Sequence, residues 1–281
     1  MADLSEGARQ TRKRILDQVL RDGTAPTISE LGRDRGAPGE DLRRNLRDLE
    51  AAICVVIQDR AHADRMEFQD EPLNRKQPAL GEIVYVRPFA AFPNHYQVSV
   101  AGEQKWYAEC AAEACSISAQ FPAAEVIVRS VCRQTREPVE LVGRDGVLLD
   151  YSPTTLRVHL GYPVRMIPDN LAGWCDYNSF FADDEAARQW QSAHPQINGV
   201  TRAPEAVARL VAETIGKGRL EYSYQPTVPI LTVLLNLNRY GLTRSTPIRI
   251  RVPDPFFLPT LSMLRAWKRQ GLGSFLRFSL T

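Results

Sequence analysis

Trp106-Tyr107-Ala108-Glu109-Cys110-Ala111-Ala112-Glu113-Ala114 is alanine-rich and comes after a turn, so it reads as the opening of a helix. A helix there puts Cys110 and Glu113 three residues apart on one face, close enough for a thiolate and a carboxylate to serve one ligand. The dipole of such a helix favours the thiolate, and a neighbouring carboxylate can take or return its proton. The flanking sequence on either side decides the kind of fold that carries this stretch.

Upstream, Ile15, Leu16, Val19 and Leu20 recur at helical spacing and stop before Gly23 and Pro26. A second short helix starts after Thr27 or Ser29, the turn Gly36-Ala37-Pro38-Gly39 comes next, and Leu42, Leu46 and Leu49 stripe a third helix over Glu40 to Ala52. Cys54 to Ile57 reads as a strand. Three helices and a strand predict a winged helix-turn-helix-like module over residues 1–65. Residues 66–80, polar and holding Pro72 and Pro78, read as a linker. Alternating runs at Ile83 to Val86, Tyr96 to Val100 and Val126 to Cys132, continued by Val139 to Leu141, Val147 to Leu149 and Leu156 to Leu160, predict a small mixed sheet. Further helices are expected over Asp183 to Ala193 and from Pro204 to Ile215. The expected fold is α+β: the helical module, a core domain over 81–216, and a basic α/β extension over 217–281.

The net charge of +2 hides an uneven distribution. Residues 1–65 are neutral, 66–215 carry −6 and 216–281 carry +8. A DNA-reading role for Arg43, Arg44 and Arg47 needs a local positive excess, and Glu40, Asp41, Asp48 and Glu50 cancel it. The helical module is therefore expected to pack or dimerise rather than bind DNA. The basic tail is expected to dock on the chain's own acidic middle, because Leu231, Val233, Leu234, Leu235, Phe256, Phe257 and Trp267 need burial; a homodimer through that surface would also serve. No export signal or membrane-length apolar run is read, so the cytoplasm is the expected location.

Five cysteines, Cys54, Cys110, Cys115, Cys132 and Cys175, are an odd number scattered along the chain, which argues for reduced thiols over a disulfide framework. Taken singly, each reads as buried filler. The four histidines, His62, His95, His159 and His194, show no zinc-type spacing with them, and phosphate-binding glycine loops are absent.

A second stretch changes the weighing: Trp174-Cys175-Asp176-Tyr177-Asn178-Ser179-Phe180-Phe181-Ala182. Tyr107-Ala108-x-Cys110-Ala111-x-Glu113, Cys132 ahead of Pro138-Val139, and Cys175 five residues before Phe180-Phe181-Ala182 together resemble the alkylmercury (organomercurial) lyase family. The resemblance covers approximately Arg9 to Leu210. It departs at Glu113, where the family has aspartate, and at Glu109, where the family has tryptophan; residues 211–281 have no recognised counterpart.

The resemblance implies a carbon–mercury lyase. Mercury(II) is soft and prefers thiolate. Cys110 and Cys175 would bind R–Hg+, one thiol would give its proton to Glu113, and Glu113 would return it to the carbon as general acid. Hg(II) would stay on the thiolates until cellular thiols or a mercury-accepting protein remove it, and no cofactor is required. Phe89, Phe92, Tyr96, Phe180 and Phe181 would wall a dry pocket for the organic group, or are ordinary sheet-core aromatics. Cys132 would pack near the site. With aspartate as the family's acid, Glu113→Asp is expected to preserve or raise turnover. The competing reading is a cysteine-based metal sensor, a DNA-binding regulator among them, or a family member turned to another thiophilic substrate.

Overall fold

The structure, a computed structural model, describes residues 4–33, 39–52, 54–58, 78–163, 175, 177–216, 218–224, 235–236, 238–240, 243–245 and 251–253. Helix α1 spans Glu6–Asp22, opened by Ser5, whose side chain accepts the Ala8 N–H at 3.2 Å. It buries Ala8, Thr11, Arg12, Ile15, Leu16 and Val19 and ends at Gly23, φ 74°. Only glycine suits that position, because the conformation is left-handed and an added Cβ would collide with the Lys105 carbonyl. Helix α2, Ile28–Arg33, starts after Thr27 with a reciprocal cap: Glu30 N–H donates to Thr27 Oγ1 (3.1 Å) and Thr27 N–H to a Glu30 carboxylate oxygen (2.8 Å). Helix α3, Gly39–Ala51, buries Leu42, Asn45, Leu46 and Leu49.

Strand β1, Val55–Ile57, pairs with β2, Ile83–Val86, which pairs with β3, Phe89–Ala90. The first module is thus stitched to the central part of the chain, and one buried cluster runs from Ala8 through to Val211. Strands β4 (Gln97–Val100), β5 (Glu103–Tyr107), β6 (Val126–Val131), β7 (Pro138–Arg144) and β8 (Val147–Ser152) form a five-stranded sheet ordered β5-β4-β6-β7-β8. Strands β9 (Arg157–Pro163), β10 (Ser179–Phe181) and β11 (Ile197–Arg202) form another, with β9 central. Every described pairing is antiparallel, which corrects the mixed sheet expected from sequence. The connections explain it: Asp145-Gly146, with φ 52° and 81°, turns β7 straight back into β8, and so short a loop cannot join parallel strands.

Helix α4, Ala111–Ser116, comes after β5; α5, Asp184–Ala193, is capped by Asp183, whose side chain accepts the Ala186 N–H at 2.7 Å; α6, Pro204–Val211, has proline at its first position and packs on α4 and β8. None of the described helices is long and apolar enough to cross a membrane. Of the expected basic extension, residues 218–224 form turns against α1, and β12 (Thr243–Ser245) pairs with β13 (Arg251–Pro253). Leu231, Val233, Leu234, Phe256, Phe257, Trp267, Trp174 and linker residues 66–77 lie outside the described residues.

His159 on β9 is 2% exposed, with edge contacts to the rings of Phe181 and Trp190. Burial pushes its pKa down to about 4, from about 6.5 in an unfolded chain. The folded state therefore prefers neutral His159, and the unfolded chain binds the extra proton as pH falls from about 6.5 towards about 4. About 3 kcal/mol of stability is expected to disappear across that window. Urea midpoints measured at stepped pH should show this slope, and His159→Gln should flatten it.

Candidate active site

The local sequence places Cys110 at the turn between β5 and α4. Ala108 donates its N–H to Tyr96 O at 2.9 Å, and Glu109 donates to Pro88 O at 3.0 Å. Cys110 itself is extended (φ −156°, ψ 178°) at the N-cap of α4, and its carbonyl accepts the Ala114 N–H at 2.8 Å. It is 1% exposed.

Cys175, 65 positions later, arrives from the segment before β10 and is partly exposed. Asn178 fixes that segment: its side-chain oxygen accepts the Gly161 N–H (3.2 Å), its carbonyl accepts the Tyr96 hydroxyl (2.9 Å), and its N–H donates to Cys175 O (3.2 Å). So held, Asn178 Nδ2 donates to Cys110 Sγ at 3.5 Å. Cys110 lies close enough to Cys175 to act on its thiol, pushing the pKa up.

Two carboxylate–arginine pairs are built on the residues around Cys110. Glu109, with no exposed side-chain surface, receives Arg87 Nε at 2.9 Å and Nη2 at 3.1 Å, and Arg87 Nη2 also donates to Cys175 Sγ at 3.5 Å. Glu113 receives Arg219 Nη1 on Oε2 at 2.9 Å, with side-chain exposures of 6% and 3%. Burial lifts Glu109 above the usual carboxylate range against the pull of Arg87. For Cys175, the nearby Cys110, then burial and the Glu109 charge, push the pKa well above that of an ordinary thiol. Cys175 therefore rests protonated.

The expected site residues are partly gathered. Cys110, Phe89, Tyr96 and Phe180 belong to one core cluster, with Cys175 packed against it. Tyr96 and Phe180 meet edge-on at 5.8 Å and Phe89 meets Phe121 at 6.1 Å. Phe92 lies in a separate cluster with Val84 and Tyr85, and Phe181 in another with Cys132 and Trp190. Cys132 accepts the Thr135 N–H on sulfur at 3.3 Å, capping the turn that leads to β7. Cys54 and Cys115 are buried, and burial raises both thiols, as inert filler requires. Asn178, Arg87 and Arg219 were not anticipated. Asn178 stands three residues after Cys175, inside the stretch that carries the second thiol, whereas nothing in the local sequence marks Arg87 or Arg219.

Residues 89–216 match the family model described as alkylmercury lyase, MerB. Over these residues the chain is similar to the alkylmercury lyase family. Curated alkylmercury lyases of Bacillus cereus and Clostridium butyricum are each 25% identical over 185 residues, which is 65% of this chain and 71% of theirs. A crystal structure of the mercury-bound form of MerB2 shares the fold with a TM-score of 0.51 at 23% identity, covering 74% of this chain and 89% of that one. The lyase-family match takes in Cys110, Glu113 and Cys175 and stops at Gly216, three residues short of Arg219.

Glu109→Gln would leave the Arg87 guanidinium opposite a neutral amide. Removing one partner of a buried pair typically costs about 3–5 kcal/mol. A urea-unfolding curve should show a loss of that order at neutral pH.

Proposed function

We propose that the protein cleaves the carbon–mercury bond of organomercurials by protonolysis. The observation that carries this reading is that Cys110 and Cys175, 65 residues apart in the chain, pack in one cluster, each sulfur receiving an N–H donor at 3.5 Å. Paired soft ligands suit mercury, and buried carboxylates beside them suit proton movement.

The substrate reaches the site as R–Hg–SR′, carried by a cellular thiol. One cysteine sulfur bonds to mercury, the carrier leaves as R′SH, and that cysteine's proton leaves with it. The second thiol passes its proton to Glu113 and its sulfur bonds to mercury. Two sulfurs raise electron density on the carbon, which takes the proton from Glu113; the carbon–mercury bond breaks and R–H departs. Two thiol protons are consumed, one in R′SH and one in R–H, and Hg(II) remains on two thiolates. Exogenous thiols or a mercury-accepting protein then remove it. Arg87 and Asn178 hold the sulfurs in place, and Phe89, Tyr96 and Phe180 keep the surroundings apolar.

The helical module, with its winged-helix-like order of elements, serves packing in this reading. Support comes from Trp106 Nε1 donating to Val19 O at 3.1 Å and from the buried Arg12, which tie α1 to the rest of the fold. Incubating reduced protein with methylmercury and excess thiol tests the proposal directly. Catalytic methane release is expected; stoichiometric mercury binding without methane would replace the lyase by a thiol-based binder.

A further inference from the structure

Arg219 lies beyond the family match and yet makes a buried ion pair with Glu113. Its place is secured from the other end of the chain. Arg12 on α1, 4% exposed, donates through Nη1 to Glu221 O at 3.0 Å and through Nη2 to Arg219 O. The same guanidinium lies over the Tyr224 ring at 4.9 Å, and the Tyr222 hydroxyl donates to Glu6 at 2.6 Å. Residues 219–224 are thus strapped to α1 by four contacts, and the strap delivers the Arg219 side chain to Glu113.

The chemistry of Glu113 explains the need. Glutamate has one more rotatable bond than the aspartate of the resembling family, so its carboxylate is harder to aim. A misplacement of about 1 Å can cost about 100-fold in rate. With Oε2 held by Arg219, the carboxylate has one fixed oxygen, leaving Oε1 to exchange a proton with the site. An arginine also suits the task, since its planar fork is always charged and is aimed more rigidly than an ammonium.

We propose that Arg219 is a positioning residue of the lyase reaction: it aims the Glu113 carboxylate, and the strap over 219–224, clamped by Arg12, exists to deliver it. The inference rests on the carbon–mercury lyase reading and extends it to a residue outside the family domain. Residue and strap act through Glu113 on proton delivery, while the capture of the organomercurial by Cys110 and Cys175 is independent of them.

Single-turnover reactions with one equivalent of methylmercury separate the two steps, capture being read as protein-bound methylmercury and cleavage as methane. Arg219→Gln is expected to capture within about twofold of the unsubstituted protein and to release methane about 100-fold more slowly. Arg219→Lys, which keeps the charge without the fork, is expected to lose about tenfold in methane release with capture intact. Should Arg219→Gln fail to fold, the lysine variant carries the test. Unchanged methane release in the folded variant, or capture and cleavage falling by one common factor, would overturn the positioning role. An unsubstituted protein that captures methylmercury and releases no methane would overturn the lyase reading itself, and the role of Arg219 with it.

Discussion

Hydrocarbon release is expected to fall below about one-thousandth when either Cys110 or Cys175 is replaced by serine, on the scale seen when a reacting nucleophile is removed. A serine hydroxyl is a hard oxygen that keeps its proton, so it offers mercury neither the softness nor the charge of a thiolate. The substitution is otherwise mild. Asn178 Nδ2 at position 110 and Arg87 Nη2 at position 175 can donate to a hydroxyl as they do to sulfur, so the frame stands and the loss is chemical. Each single-thiol variant should still bind one equivalent of organomercurial, because one sulfur suffices for exchange with the carrier. Cys132→Ser, whose hydroxyl can still accept the Thr135 N–H now on sulfur, should retain most activity. Full turnover in Cys175→Ser would exclude a two-thiol mechanism.

Glu113→Gln is expected to slow carbon–mercury cleavage by about 10²–10⁴-fold, the usual contribution of a positioned acid, with methylmercury still bound to the thiols. Glu113→Asp is the more telling change. From sequence, aspartate restores the family's residue and should preserve or raise turnover. The role proposed for Arg219 predicts the opposite: the carboxylate would withdraw by one methylene from the guanidinium, whose Nη1 now lies 2.9 Å away. Proton delivery should then fall by about 100-fold, and the guanidinium would be left buried with a stretched partner. Methane release from Glu113→Asp, measured beside that of Glu113→Gln, reads this out. Turnover at or above that of the unsubstituted protein would show that the arginine does not set the acid's position.

The parts of this architecture legible in the sequence are those governed by neighbours along the chain. Gly23 ending α1, Asp183 opening α5 and Pro204 opening α6 are local rules, and each of these three ends stands where it was expected. The motif around Cys110 implied a helix with Glu113 on its first turns, and α4 supplies it. The direction of the strand pairing was less legible, because the same alternating runs serve parallel and antiparallel sheets; the short Asp145-Gly146 turn held the answer. The two arginines were illegible for a plainer reason. Arg87 reaches Glu109 across 22 residues and Arg219 reaches Glu113 across 106. In a chain with 35 lysines and arginines, nothing local distinguishes these two. Glu109 was visible only as a departure that added charge beside the thiol; its partner makes sense of it.

The Arg12 clamp also sets an order in time. Arg12 and Arg219 are 207 residues apart, and contacts so distant in the chain close late, after the entropy of a long loop has been overcome. During synthesis Cys110 and Cys175 are both made well before residue 219 leaves the ribosome. A nascent or clipped chain would therefore hold both thiols before its acid is aimed, and in the proposed reaction metal taken up at that stage would shed its organic group only slowly until the last strap of backbone had settled onto the first helix.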